Sequence, residues 1–161
     1  MAPTAVAVFS TRSVQGVVTF SDRKTGLYIE AVFTRLPKGL HGFHIHKAGD
    51  LRGEGCKLAC DHYHKGPPTV HGGPPGLRGP RPVAKGDWIS KGPRHTGDLG
   101  NVEEGKYTYT LHDVSVADIL GRSVIVHADE DDYGLGGKED SLTTGHSGAR
   151  IACAVIGRVL C

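Results

Sequence analysis

The stretch GFHIH at residues 42–46 sets two imidazoles two apart in an apolar, β-prone run. On a strand, side chains at i and i+2 share a face, so His44 and His46 stand side by side, ~7 Å apart along the chain. That spacing suits two ligands on one metal ion, and it equally suits two unrelated surface histidines. Ten histidines occur in 161 residues, against roughly three or four at average usage. His62, His71, His95 and His127 follow the pair, with Asp98 among them. An excess of this kind points to metal coordination.

The elements that must position these groups are strands, because the apolar pattern alternates. TAVAVF (4–9), VQGVVTF (14–20), LYIEAVFT (27–34) and LHGFHIH (40–46) are strand-length runs. LGNVEE (99–104), KYTYTL (106–111), RSVIVH (122–127) and RIACAVIGRVL (150–160) continue the series. Short polar or Gly-bearing links such as SDRKTG and RLPKG separate the early runs. In the third run Leu27, Ile29, Ala31 and Phe33 share one face. Eight such runs, with no amphipathic helix, predict an all-β antiparallel sandwich or flattened barrel.

Two long irregular stretches interrupt this plan, at about 47–97 and about 128–149. Loops of that length are uncommon unless they are functional or held down. The first contains Cys56, His62, His64, His71 and His95, with Asp98 just beyond, and the second opens at His127. Metal ions and a disulfide would fix what no hydrophobic core reaches. Within the first loop, residues 74–94 form a Pro/Gly-rich excursion carrying Arg78, Arg81, Lys85, Lys91 and Arg94 against Asp87. It reads as a solvated surface segment, with Trp88 packing part of it down.

A chain of 161 residues is expected to form a single domain over 1–161 with a real core. A net charge of +2 is too balanced to argue for nucleic acid or a membrane surface. No apolar run approaches the ~20 residues of a membrane span. The opening MAPTAVAVFSTRSVQG lacks the basic leader and long apolar core of a signal peptide, so the cytoplasm is the expected compartment. Cys56, Cys60, Cys153 and Cys161 do not make a paired C-x-x-C framework, which argues against a zinc-finger site, while one pair could still form a disulfide.

GLHGFHIHKAGD (39–50), HGGP (71–74), RHTGDLGN (94–101), VIVHADEDDYGLGG (124–137) and TGHSGARIACAVIG (144–157) occur in that order. In these motifs, and over nearly its whole length, the chain closely resembles the copper/zinc superoxide dismutases. The resemblance implies an eight-stranded Greek-key sandwich with two functional loops. It implies His44, His46 and His127 as copper ligands, His62 as an imidazolate bridging copper and zinc, and His71, His95 and Asp98 as the remaining zinc ligands. The donor chemistry agrees. An all-nitrogen site open to solvent suits copper cycling between Cu(II) and Cu(I), and three histidines with one carboxylate and no open position suit structural zinc.

The same resemblance implies Asp131 as the carboxylate that hydrogen-bonds one ligand of each metal. It implies Cys56–Cys153 as an intrasubunit disulfide and Arg150 as the arginine that receives the superoxide anion. A guanidinium ~5 Å from that anion, at an effective dielectric of ~20, contributes roughly 3 kcal/mol of attraction. One copper and one zinc per chain, disproportionation of superoxide to oxygen and hydrogen peroxide, and a homodimer packed through sheet faces and loops near the disulfide follow from it. Loading by a copper chaperone protein is a further partnership the resemblance allows.

The chain also departs from the family pattern. The excursion lengthens the segment between His71 and His95. The bridging histidine lies in CDHYHK, so His64 stands beside it as a competing ligand, and the offset from Cys56 favours His62. Thr143 stands where the family often has a lysine that guides superoxide, next to the acidic pair Glu139 and Asp140. Steering is therefore expected to be weaker, or to pass to the basic excursion. His41 is expected to brace a loop through a backbone hydrogen bond, His112 and His146 to lie at or near the surface, and Cys60 and Cys161 to stay free thiols.

Overall fold

Alternating burial organises the strands of the computed structural model, which describes residues 2–76 and 92–160. The strands are β1 (Ala5–Ser10), β2 (Gln15–Arg23), β3 (Gly26–Arg35), β4 (His41–His46), β5 (Asp98–Val102), β6 (Gly105–Leu111), β7 (Ser123–His127), β8 (Arg150–Val155) and β9 (Gly157–Arg158). They form two antiparallel sheets, in the orders β6-β3-β2-β1-β9 and β5-β4-β7-β8. The sequence pattern predicts eight strands and leaves a closed barrel open. Among the described residues there are nine, in two open sheets packed as a sandwich.

The extra strand comes from a break in the last apolar run. Ile156 leaves the ladder, its N–H donating to the Arg122 carbonyl and its carbonyl accepting from Gly121 N–H, both at 2.9 Å. The chain then crosses to the other sheet, where β9 pairs with β1. Short helices occupy Val116–Ile119 and Ser141–Thr144, a single turn each. Neither has the length from which an amphipathic stripe could be read.

On β3 the buried positions are Leu27, Ile29, Ala31 and Phe33, the face expected from alternation. Together with Val18, Phe20, Phe43 and Ile45 they belong to the core between the sheets. Phe33 meets Phe43 edge to face, with ring centroids 5.4 Å apart. β4 is the exception to half-burial, because all six of its residues are buried. Phe43 and Ile45 fill the core, while His44 and His46 point to the opposite face, beneath the two long loops. That face is where chemistry collects.

Candidate metal centre

Strand pairing carries distant residues to the two histidines of β4. Its register against β7 sets His44 opposite Ile125 and His46 opposite Ser123, and β7 ends at His127. On the other side, β5 sets Asp98 opposite His44. The first long loop then folds back along the end of β4, with Tyr63 N–H donating to the Ile45 carbonyl at 2.8 Å and Lys47 N–H to the Asp61 carbonyl at 2.9 Å. This places His62 beside His46.

The result is a cluster of buried rings. His44 and His62 stack with centroids 4.0 Å apart, and His44 lies 4.8 Å from His127 and 5.3 Å from His71. Donor atoms of His44, His46, His62 and His127 lie within 4.8 Å of one another, and so do those of His44, His62, His71 and Asp98. His44 falls in both groups, but its Nε2 is already engaged by Asp131 Oδ2 at 2.6 Å. Only Nδ1 remains to bind. His95 stands next to the second group, with Nδ1 3.4 Å from Asp98 Oδ2.

Buried polar atoms are ordinarily hydrogen-bonded, and each exception calls for an explanation. His44 Nδ1, His46 Nε2, His62 Nε2, His127 Nε2 and His95 Nδ1 are buried without a hydrogen-bond partner. The first four are one nitrogen from each ring of the first group. Burial, reinforced by neighbouring rings, holds His44 and His46 well below the ordinary imidazole range. Burial likewise lowers His62 and brings His127 down to about 4. Neutral rings offer free lone pairs, as ligation requires. These residues fit a transition metal.

The two carboxylates set the rings' orientation. Asp131, fully buried, reaches His44 Nε2 with one oxygen and His71 Nε2 with the other, at 2.6 and 2.7 Å. Burial raises its carboxyl to about 6 against the pull of His71. Burial also opposes a charge on His71, but Asp131 and Asp98 on its two sides outweigh it and push the ring up to about 10. Near neutral pH the contact is therefore an ionised carboxylate accepting from an N–H of each ring, and a metal at His71 Nδ1 would take the place of a proton. Asp98 Oδ2 accepts backbone N–H from Gly72 and His95, at 2.9 and 2.7 Å. Its Oδ1 is thereby turned to His62 Nδ1 and His71 Nδ1, at 2.8 and 3.0 Å.

The sequence reading gives Asn101 no role and counts Arg94 only among the charges of the basic excursion, although both lie inside a quoted motif, RHTGDLGN. Arg94 donates to the carbonyls of Gly73, Thr96 and Asp98, drawing the His71 and His95 segments together. Asn101 exchanges two hydrogen bonds with the Asp131 backbone, at 2.7 and 2.9 Å. His41 bridges the carbonyls of His127 and Pro37, at 2.9 and 2.8 Å, which fits the brace expected of it. His64 does not enter the cluster. Its Nδ1 accepts from Thr96 N–H at 3.1 Å and its Nε2 contacts the Pro67 carbonyl at 2.8 Å, so both nitrogens are spent on the loop. His112 and His146 are exposed.

Cys56 and Cys153 form a disulfide between the first loop and β8. Arg150 Nη1 donates to the Cys56 carbonyl at 2.8 Å, so the bridge and the guanidinium are tied together. Arg150 lines an open cleft of about 660 Å³ over the cluster, with His46, His62 and His127 among its walls. Cys60 is a free, exposed thiol. Cys161 and residues 77–91 of the basic excursion, including Trp88, Arg78, Arg81, Lys85 and Lys91, lie outside the described residues.

Cys60 has φ 65° and ψ −152°, a region populated essentially by glycine. Its carbonyl accepts from His46 Nδ1 at 2.7 Å, which fixes the ring that faces the cleft. A side chain held there costs ~1–3 kcal/mol, of which glycine would return ~0.5–1 through unfolded-state entropy. Cys60→Gly is thus expected to stabilise the protein by about 1 kcal/mol, read as a raised urea midpoint at unchanged slope. A lowered midpoint would mean that the cysteine side chain makes contacts worth more than the strain.

A β-sandwich whose two long loops enclose a buried polyhistidine cluster defines a metalloprotein. The copper/zinc superoxide dismutase profile matches residues 14–156. This chain belongs to the copper/zinc superoxide dismutase family. A superoxide dismutase [Cu-Zn] of Paramecium bursaria Chlorella virus 1 is 40% identical over 153 residues, 89% of this chain and 73% of the relative. One from Onchocerca volvulus is 38% identical over 171 residues, 97% and 96% of the two chains. The crystal structure of the clock protein EA4 superposes with a TM-score of 0.75 at 33% identity, covering 99% of this chain and 97% of that one.

Proposed function

We propose that the chain is a superoxide dismutase in which His44 Nδ1, His46 Nε2, His62 Nε2 and His127 Nε2 hold one copper ion. His62 Nδ1, His71 Nδ1, His95 Nδ1 and Asp98 hold one zinc ion, and His62 is shared between the two. The observation that carries this reading is the set of unpartnered buried ring nitrogens, which accounts for every copper position in it and for His95. Bound copper supplies the one-electron chemistry by which two superoxide anions and two protons become dioxygen and hydrogen peroxide.

The chain's own residues do the rest. Asp131 fixes one ring of each metal site through its two oxygens. Asp98 and the Arg94 clamp hold the zinc half closed. Arg150, part-exposed in the cleft wall and anchored by the Cys56 carbonyl, attracts the anion and orients it. The protein works in the cytoplasm as a homodimer and takes copper from a chaperone protein. Val8 and Val17, paired across β1 and β2 and exposed on the outer face, are apolar surface consistent with self-association. No helix among the described residues is long and apolar enough to cross a membrane.

Elemental analysis of the purified protein, paired with a superoxide-consumption assay, tests the reading: one copper and one zinc per chain with rapid consumption is expected, and a protein that holds both metals without consuming superoxide would end it. Arg150 gives a finer test. Arg150→Ala is expected to lower the rate about tenfold or more, and Arg150→Glu further, because repulsion replaces attraction. Copper content should be the same in both. Equal rates in the two variants would remove the electrostatic role.

A further inference from the structure

One residue of the cleft wall, Asp140, is paired with a histidine outside the metal ligands and outside the roles assigned above. Asp140 lines the cleft together with Arg150, Lys47 and Asp61. His146 Nδ1 lies 2.6 Å from Asp140 Oδ1, and both side chains are about half exposed, at 55% and 45%. Thr144 Oγ1 donates to the other carboxylate oxygen at 3.1 Å, which holds the carboxylate toward the ring. The backbone makes this contact possible: Gly145 and His146 both adopt positive φ, 71° and 54°, and the turn brings the ring back over the residue that precedes the short helix Ser141–Thr144. Thr143, also in the cleft wall, carries no charge of its own to offset Asp140.

We propose that His146 is a proton-controlled gate for anion entry: as the imidazolium it cancels the Asp140 carboxylate, and as the neutral ring it leaves Asp140 to repel the incoming anion. This rests on the dismutase reading and adds to it a regulation by pH. Imidazole is the side chain whose charge changes near neutrality. Gaining a proton removes one net negative charge from the rim, so entry is faster at lower pH and slows as the proton leaves. Around the pair stand Lys138 and Glu139 on the same segment and Asp129, whose carboxylate packs against Gly148. Asp132, facing from the adjoining loop, accepts from Ser141 Oγ, and Asp131 lies buried beneath Gly145. Lys47, Asp61, His64 and Arg150 complete the cleft wall. Substituting the two members of the pair separates them from these neighbours.

The test uses the copper- and zinc-loaded protein with His146→Asn, Asp140→Asn and the double variant, at ~0.01 M salt, where the screening length is ~30 Å. Asparagine tolerates positive φ, so His146→Asn keeps the turn. Superoxide consumption by pulse radiolysis is expected to fall about twofold as the His146 ring loses its proton, the size of one unit charge ~10 Å away in a water-like medium. The midpoint should coincide with that of the His146 ring signal in an NMR titration. Asp140→Asn should move both midpoints together to lower pH and raise the high-pH rate about twofold. His146→Asn, alone or in the double variant, should abolish the step, and alone it should hold the rate at the wild-type high-pH level. A step that survives unchanged in His146→Asn, or a His146 midpoint unmoved in Asp140→Asn, overturns the gate. Azide affinity, read from the visible spectrum of the copper, should show the same step and the same shifts. If the loaded wild type consumed no superoxide, the dismutase reading would fail, while the ring titration and the azide affinities would still decide on the pair.

Discussion

Replacing Cys153 by serine is expected to lower the free energy of unfolding by about 4–5 kcal/mol. The bond closes a separation of 97 residues, with Cα atoms 6.3 Å apart. In the chain-entropy account, a loop that long is among the costlier ones to restrict in the unfolded chain, and that restriction is what the variant gives up. The first long loop has little else to hold it. Of its residues between Lys47 and His64, only Tyr63 belongs to the main core. The loop also carries the Cys56 carbonyl that holds Arg150 Nη1, so freeing it should slow superoxide consumption as well as lower stability. Urea unfolding without reductant measures the first effect, and peptide mapping of the wild type should recover Cys56 and Cys153 as one linked species. A loss below ~1 kcal/mol would show that metal ligation and the Arg94 clamp, rather than the disulfide, hold the loop.

His46→Ala is expected to remove copper and with it more than 100-fold of the activity, since even an outer hydrogen-bond partner of a ligand is worth ~10–100-fold. The ring has two distinct nitrogens: Nδ1 is fixed by the Cys60 carbonyl, and Nε2 is buried without a partner. No neighbour can take over, because the two non-ligand imidazoles nearest in sequence have both nitrogens committed, those of His41 to the His127 and Pro37 carbonyls and those of His64 to Thr96 and Pro67. The fold should survive. Phe43 and Ile45 hold β4 in the core from the opposite face, and the truncation opens space under the loops rather than between the sheets. The checks are circular dichroism, copper and zinc content, and rate on one preparation. Full activity in a folded variant would remove His46 from the site.

Much of this protein is legible in its residue order, and the rest is legible only in three dimensions. Period-two alternation places Leu27, Ile29, Ala31 and Phe33 on one face and His44 and His46 on another, because a strand's side-chain direction is a local property. The family resemblance likewise draws attention to each ring that the fold gathers, and to Cys56, Cys153, Asp131 and Arg150, although Cys56 and His62 lie outside the five quoted motifs. What the order of residues leaves open is decided by contacts between distant segments. The end of the last apolar run crosses to the other sheet at Ile156, because that residue's backbone groups pair with the Gly121–Arg122 turn instead of a strand. His62 enters the cluster and His64 does not, because Thr96 and Pro67 claim the latter's two nitrogens. Which nitrogen of His44 is left to bind depends on Asp131, 87 positions away. The meeting of His146 with Asp140 depends on a turn through positive φ that no periodicity announces. Alternation reports where a side chain points relative to its own strand, and the partner it meets there is set by how the loops are folded and pinned.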